Sequence, residues 1–180
     1  MLIQRDQSLL LVVDIQEKLA PAIHDGETAV RNNVRLLTAA RQLGVPSFVS
    51  EQYVRGLGSS LAEIRAAAVD ARFFEKMHFS CTREPGVLEM LHAQERRQVI
   101  LTGMETHVCV LQTAFGLLEA GFQVFLVGDA ASSRTAANRT AALTRLGAAG
   151  ASIVTTEMVL FEWLDKAGTD EFRALLPLIK

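Results

Sequence analysis

Three residues capable of covalent chemistry stand just beyond short apolar runs. Asp14 ends Leu9–Val13, Lys76 follows Arg72–Phe74, and Cys109 lies about one turn into the helical segment after Val99–Thr102, in "VILTGMETHVCVLQTAFGLLEAG". An acid, an ammonium and a thiol are the parts of nucleophilic catalysis by sulfur. The thiolate attacks a carbonyl, and the acid carries the thiol proton to the leaving group. Hydrolysis of the resulting thioester completes the cycle.

The local sequence predicts how the thiol is activated. With Thr106 as N-cap, its hydroxyl accepts from the first-turn amides, and His107, Val108 and Cys109 form that turn. The positive end of the helix and a nearby Lys76 would both lower the thiol pKa. First-turn amides left over by the cap could hold an oxyanion. Each residue alone has a plainer reading. A free cysteine is commonly inert core, Asp14 could cap a helix or ligate Mg²⁺, and a lone lysine is usually a solvated charge. Their common placement is what singles them out.

That placement depends on the elements. Apolar β-rich runs occur at Leu9–Val13, Val45–Val49, Val99–Thr102, Val124–Val127 and Ser152–Val154, with Arg72–Phe74 a weaker sixth. They are continuous rather than alternating, as in parallel strands covered on both faces. Helical patterns separate them. One is marked by Val30, Val34 and Leu37 and ends at Gly44; others cover Leu61–Val69, Val87–Ala93, the stretch to Gly121, and Ala136–Leu146 with Gly147 as its stop. Glu157–Leu164 and Glu171–Leu178 close the chain. The alternation predicts an α/β fold, a three-layer αβα sandwich around a mainly parallel six-stranded sheet. Ligands of such sheets bind beyond the carboxyl ends of the strands. Asp14, Glu51-Gln52-Tyr53, Lys76, "GMETHVC", Asp129 and Thr155-Thr156 would share that rim.

Composition limits the alternatives. The chain has 180 residues, 49% hydrophobic and 21% charged, with no linker or repeat to split it, so one domain is expected over residues 1–180. A net charge of −2 without a basic block argues against nucleic acid and anionic membrane as partners. The apolar N-terminal run stops at Asp14, too short for a span and without a signal-peptide cleavage site. Cys81 and Cys109 make no disulfide framework, which points to the reducing cytoplasm. A small-molecule substrate is the expected partner. A Mg²⁺-dependent phosphotransfer domain using Asp14 fits poorly, since "DIQEK" offers no second acid and no phosphate-cradling glycine loop follows. A non-catalytic or scaffold protein on the same fold is the other alternative.

The segments "LLLVVDIQEKL", "FFEKMHFSC", "LTGMETHVCVLQTAFGLLEAGFQVFLVGDAASSR" and "TTEMVLF" resemble the isochorismatase-like cysteine hydrolases, in order and over nearly the whole chain. "VSEQYVRGLG" and the "DAASSRT" region look closest to the isochorismatase-domain-containing subgroup. The resemblance implies an Asp14–Lys76–Cys109 triad, a cis peptide between Met104 and Glu105, and an oxyanion site at the backbone N–H groups of Glu105 and Cys109. It also implies a homo-oligomer, a dimer or larger; the C-terminal segment "MVLFEWLDKAGTDEFRALLPLIK" carries more apolar bulk than a terminal helix pair needs, so contacts are expected near Phe161, Trp163 and Leu164.

Departures from the family narrow the expectation. Nicotinamidases of this superfamily bind metal through Asp-x-His and a further His after the second strand; "SEQYVRGLG" has neither residue, so no metal and no cofactor are expected. Gln52, Tyr53 and Leu57 could line the pocket or its lid, as could His78 and His107 beside the rim. His92 and Cys81 are read as surface and structural residues. The expected activity is metal-independent hydrolysis of a small amide, or of a related C–N or C–O substrate that the sequence leaves unspecified.

Overall fold

The computed structural model describes residues 1–179. Its strands are β1 (Ser8–Val13), β2 (Ser47–Gln52), β3 (Arg72–Lys76), β4 (Gln98–Met104), β5 (Gln123–Ser132) and β6 (Ser152–Val154). They form one sheet in the order β3-β2-β1-β4-β5-β6, every pair parallel. The helices are α1 (Gly26–Leu43), α2 (Val54–Leu57), α3 (Ala62–Ala67), α4 (Val87–His92), α5 (Leu111–Glu119), α6 (Ala136–Ala148), α7 (Thr156–Leu164) and α8 (Asp170–Ile179).

Alternation along the central strands makes the three layers. Leu10 and Val12 of β1 join Ile100 and Phe125 under a layer formed by α1, α3, α7 and α8. Leu9, Leu11 and Val13 face the other way, with Val99 and Leu101, against α4, α5 and α6. Both faces of β1 and β4 are therefore dry, which is why these strands read as unbroken apolar runs. The sandwich and the six parallel strands agree with the sequence reading.

Strand order places the switch point between β1 and β4, whose outgoing connections feed opposite layers. The crevice at such a point is where open α/β sheets bind ligands. Asp14 leaves β1 there, and the turn carrying Cys109 leaves β4 beside it. Gly103 makes the close approach feasible: its φ is 111°, and a Cβ would lie 2.0 Å from the Val13 carbonyl oxygen. No L side chain fits that space.

Element ends differ from expectation for local reasons. β2 begins after Pro46, which has no N–H, and runs on through Ser50–Gln52. Those polar residues are buried, so hydrophobicity alone could not extend the strand over them. Gly147 does not stop α6; the helix continues to Ala148, and the left-handed residue is Gly150 at φ 101°. Trp163 and Leu164 are 2% and 6% exposed in the α7–α8 core, so they pack within the chain rather than against a second subunit. Phe161, at 45%, does face outward.

Candidate active site

Asp14 occupies the first position beyond β1 in a left-handed conformation, φ 51°, which aspartate tolerates better than bulkier residues. Its N–H donates to the Ser50 carbonyl at 3.1 Å, tying the turn to β2. The carboxylate is fully buried and held at both oxygens: Lys76 Nζ donates to Oδ2 at 2.7 Å and Ser50 Oγ to Oδ1 at 2.7 Å. Lys76 is the last residue of β3 and only 1% exposed. Its Nζ also donates to Gln52 Oε1 at 2.5 Å, the Phe79 carbonyl at 3.1 Å and the His78 carbonyl at 3.3 Å. Burial alone would lower its pKa, but the Asp14 carboxylate, with the two nearby thiols, raises it overall. The side chain is an ammonium surrounded by acceptors.

Cys109 completes the cluster. It lies in a single π-helical turn, Thr106–Val110, that leads into α5. Its thiol is close enough to Asp14 for the carboxylate charge to act on it, and the residue is 7% exposed. The thiol is shifted opposite to the expected activation. Burial first, and then the Asp14 charge, raise the thiol pKa; Lys76 pulls it down without prevailing. The ammonium is already paired with Asp14, so little of its field remains for the sulfur. Cys109 rests as a protonated thiol beside a carboxylate, so any use of its sulfur as a nucleophile would need a base to take the proton.

The turn itself also differs from expectation. Glu105, not Thr106, is the N-cap residue, and its side chain makes no capping bond. The Glu105 carbonyl accepts instead from the N–H groups of Val108 at 3.1 Å and Val110 at 3.2 Å. Thr106 is inside the turn, with its hydroxyl buried and unpartnered. The Met104–Glu105 peptide is cis. The Glu105 carboxylate accepts from Arg134 Nε at 2.9 Å and from the Arg134 N–H at 3.2 Å, tying the turn to the end of β5.

The pocket candidates separate. Gln52 faces Lys76 and belongs to the buried cluster. Tyr53 follows it, 49% exposed at φ 38°, with its ring over Gly56. Leu57 is half-buried in the same loop. His78 turns to solvent and pairs with Glu84 at 3.0 Å, a contact that lowers the carboxyl pKa of Glu84. His107 is half-buried, held by Ser133 Oγ at 3.0 Å and Asn138 Nδ2 at 3.3 Å. His92 is exposed and stacks on Phe122. Cys81 is fully buried; its N–H donates to Thr113 Oγ1 at 2.9 Å, and burial is the main cause that pushes its thiol up to about 11. Among the described residues, no three His, Cys, Asp or Glu side chains form a metal-ligating group.

The isochorismatase domain model matches residues 8–158, which span the sheet and every member of this cluster. The chain belongs to the isochorismatase family. A secreted isochorismatase effector, Isc1, of Phytophthora sojae (strain P6497) is 39% identical, over 96% of this chain and 84% of that one. Isochorismatase domain-containing protein 2 of Danio rerio is 37% identical, over 96% and 86%, in agreement with the subgroup read from "VSEQYVRGLG". Among solved structures, the MAR1 ribonuclease of Caenorhabditis elegans superposes with a TM-score of 0.94 at 36% identity, covering 99% of this chain and 92% of its own. The YcaC gene product of Escherichia coli, described as an octameric hydrolase of unknown specificity, gives 0.93 at 24% identity over 99% and 90%, a likeness of fold. Membership places the chain on a hydrolase fold. Among the described residues, no helix is long and apolar enough to cross a membrane.

Sequence reasoning missed Ser50 and Gln16, as well as the part Gln52 plays. Their one signal was that polar residues continue β2 at alternate positions, Ser50 and Gln52, where a strand buried on both faces has no use for unpaired polarity.

Proposed function

We propose that this isochorismatase-family chain is a metal-independent cysteine hydrolase of a small amide, or of a related C–N or C–O substrate. Asp14 is the base, Lys76 its charge partner and Cys109 the nucleophile. One observation carries the reading: a single buried carboxylate is bonded to Lys76 Nζ at 2.7 Å and is close enough to the Cys109 thiol for its charge to hold the proton there.

The reaction follows from that contact. As Cys109 Sγ bonds to the substrate carbonyl carbon, its proton passes to Asp14. The carbonyl oxygen becomes an oxyanion, which the backbone N–H groups of Glu105 and Cys109 would receive. The intermediate collapses, Asp14 returns the proton to the leaving amine, and a thioester remains on Cys109. Asp14 then takes a proton from water as water attacks the thioester, and the thiol is regenerated. No step calls for a Lewis acid, and the Asp14 carboxylate that could ligate a metal is already engaged by Lys76 and Ser50.

A small substrate suits a triad buried at the C-terminal rim of the sheet, and the net charge of −2 offers nucleic acid little attraction. The ribonuclease name belongs to the similar structure. We also propose a homo-oligomer in a reducing compartment. The octameric neighbour supports the first, with Met158 and Phe161 as outward apolar residues on α7. Two free, buried cysteines support the second. A hydrolysis screen over small amides, comparing wild type with Cys109→Ala, tests the activity; turnover that persists in the variant overturns it.

A further inference from the structure

Lys76 has a difficulty that Asp14 cannot resolve. When Asp14 takes the Cys109 proton, the carboxylate becomes neutral and the ammonium loses its counter-charge inside the protein. A buried, unpaired ammonium is strongly disfavoured. Something whose charge does not change during the step has to hold Nζ in place.

We infer that Gln52 is the positioning residue for Lys76, its carboxamide oxygen keeping the ammonium on the Asp14 carboxylate throughout proton transfer from Cys109. The Gln52 Oε1–Nζ distance of 2.5 Å is shorter than the ion pair's own 2.7 Å. The orientation of the amide is determined by its surroundings. Gln52 Nε2 donates to the Met77 carbonyl at 2.9 Å, so the oxygen must face Lys76. The backbone is equally fixed. The Gln52 N–H donates to Gln16 Oε1 at 2.7 Å, and Gln16 Nε2 donates to the carbonyls of Gln52 at 2.9 Å and Gly58 at 2.7 Å. Register completes the arrangement, since Gln52 is paired with Lys76 across β2 and β3. Strand periodicity puts Ser50 and Gln52 on one face of β2, one gripping the base and the other its partner.

The carbonyls of His78 and Phe79 assist at longer range, 3.3 and 3.1 Å. They belong to an exposed loop, whereas Gln52 is 8% exposed at a strand end. Of the neutral acceptors around Nζ, Gln52 is therefore the closest and the most firmly anchored.

This inference rests on the cysteine mechanism, and its test keeps the two separable. Cys109 alkylation by excess iodoacetamide is followed by mass spectrometry in the full chain, for wild type, Asp14→Asn, Gln52→Met and Gln52→Glu. Methionine keeps the bulk and removes the acceptor; glutamate keeps an acceptor oxygen. The expected result is that Gln52→Met slows alkylation about 10- to 100-fold, the span of one hydrogen bond to a charged group. Gln52→Glu recovers more than half of that loss on a logarithmic scale. A packing role alone would not produce the rescue. A wild-type rate in folded Gln52→Met overturns the inference, as does a Gln52→Glu rate no better than that of Gln52→Met. If Gln52→Met does not fold, Gln52→Glu decides: a rate as low as that of Asp14→Asn overturns the inference, and one within about tenfold of wild type supports it. An Asp14→Asn variant alkylated at the wild-type rate would instead remove the mechanism itself.

Discussion

Ser50 Oγ donates to Asp14 Oδ1 at 2.7 Å, on the carboxylate oxygen that Lys76 leaves free. A fully buried carboxylate gains from every donor it has, and Ser50→Ala removes one without creating a large cavity. A hydrogen bond to a charged group is worth about 1.5–3 kcal/mol. Urea unfolding of Ser50→Ala is expected to show a loss in that range; unchanged stability would mean the hydroxyl does not serve Asp14.

The ion pair predicts a larger effect and a specific rescue. Lys76→Met strands Asp14 as an uncompensated buried charge, which costs about 3–5 kcal/mol. Adding Asp14→Asn neutralises the stranded group, so the double variant is expected to be more stable than Lys76→Met alone. Additive losses in urea unfolding would show that the two residues do not depend on each other.

Alkaline pH tests the raised pKa values. Burial, with Asp14 adding to it, moves the Cys81 thiol from 9.0 to about 11, and Cys109 moves in the same direction. Lys76 is raised above 10.5 because Asp14 and the thiols outweigh burial. In each case the folded protein keeps a proton that the unfolded chain releases, so stability falls as pH rises. For Cys81 the decline starts near pH 9 and runs to about 11; the Lys76 contribution is intact below 10.5 and is lost above it. The melting temperature is therefore expected to be level up to about pH 9 and to fall from there to 11, less steeply in Cys81→Ala. A flat profile across that window would contradict the burial of these groups.

Trp163 separates chain packing from subunit contact. At 2% exposure it is part of the core that α1, α7 and α8 share, so Trp163→Ala is expected to cost about 3–5 kcal/mol, whatever the protein concentration. Phe161→Ala, on the outward side of α7, is expected to change the mass measured by light scattering with little loss of protomer stability. A concentration-dependent defect for Trp163→Ala would return that residue to an interface.

The fold and the Asp14–Lys76–Cys109 cluster are legible through the same feature. Runs buried on both faces read as strands, and the polar residue ending each run marks the rim. Asp14, Lys76 and Cys109 are legible because they follow such runs. Ser50 is not, because it lies within β2 and its polarity made the strand look as if it had ended; Gln52 is legible as a rim residue but not as a partner of Lys76. The cap was misjudged because Thr106 has the right residue type, whereas the π turn starts one residue earlier on a backbone that residue type does not encode. The thiol pKa reversed sign because sequence proximity to a lysine and a helix end says nothing about burial, nor about Asp14 having taken the lysine's charge first.

In the proposed mechanism, Asp14 creates the nucleophile at Cys109 by removing its proton during attack. Alkylation of the two cysteines by iodoacetamide near neutral pH, mapped by peptide mass spectrometry, tests that claim. The predicted result is one modification, on Cys109, with Cys81 untouched and the rate lost in Asp14→Asn. Equal modification of both sulfurs, or an Asp14→Asn variant that labels as fast as wild type, would contradict it.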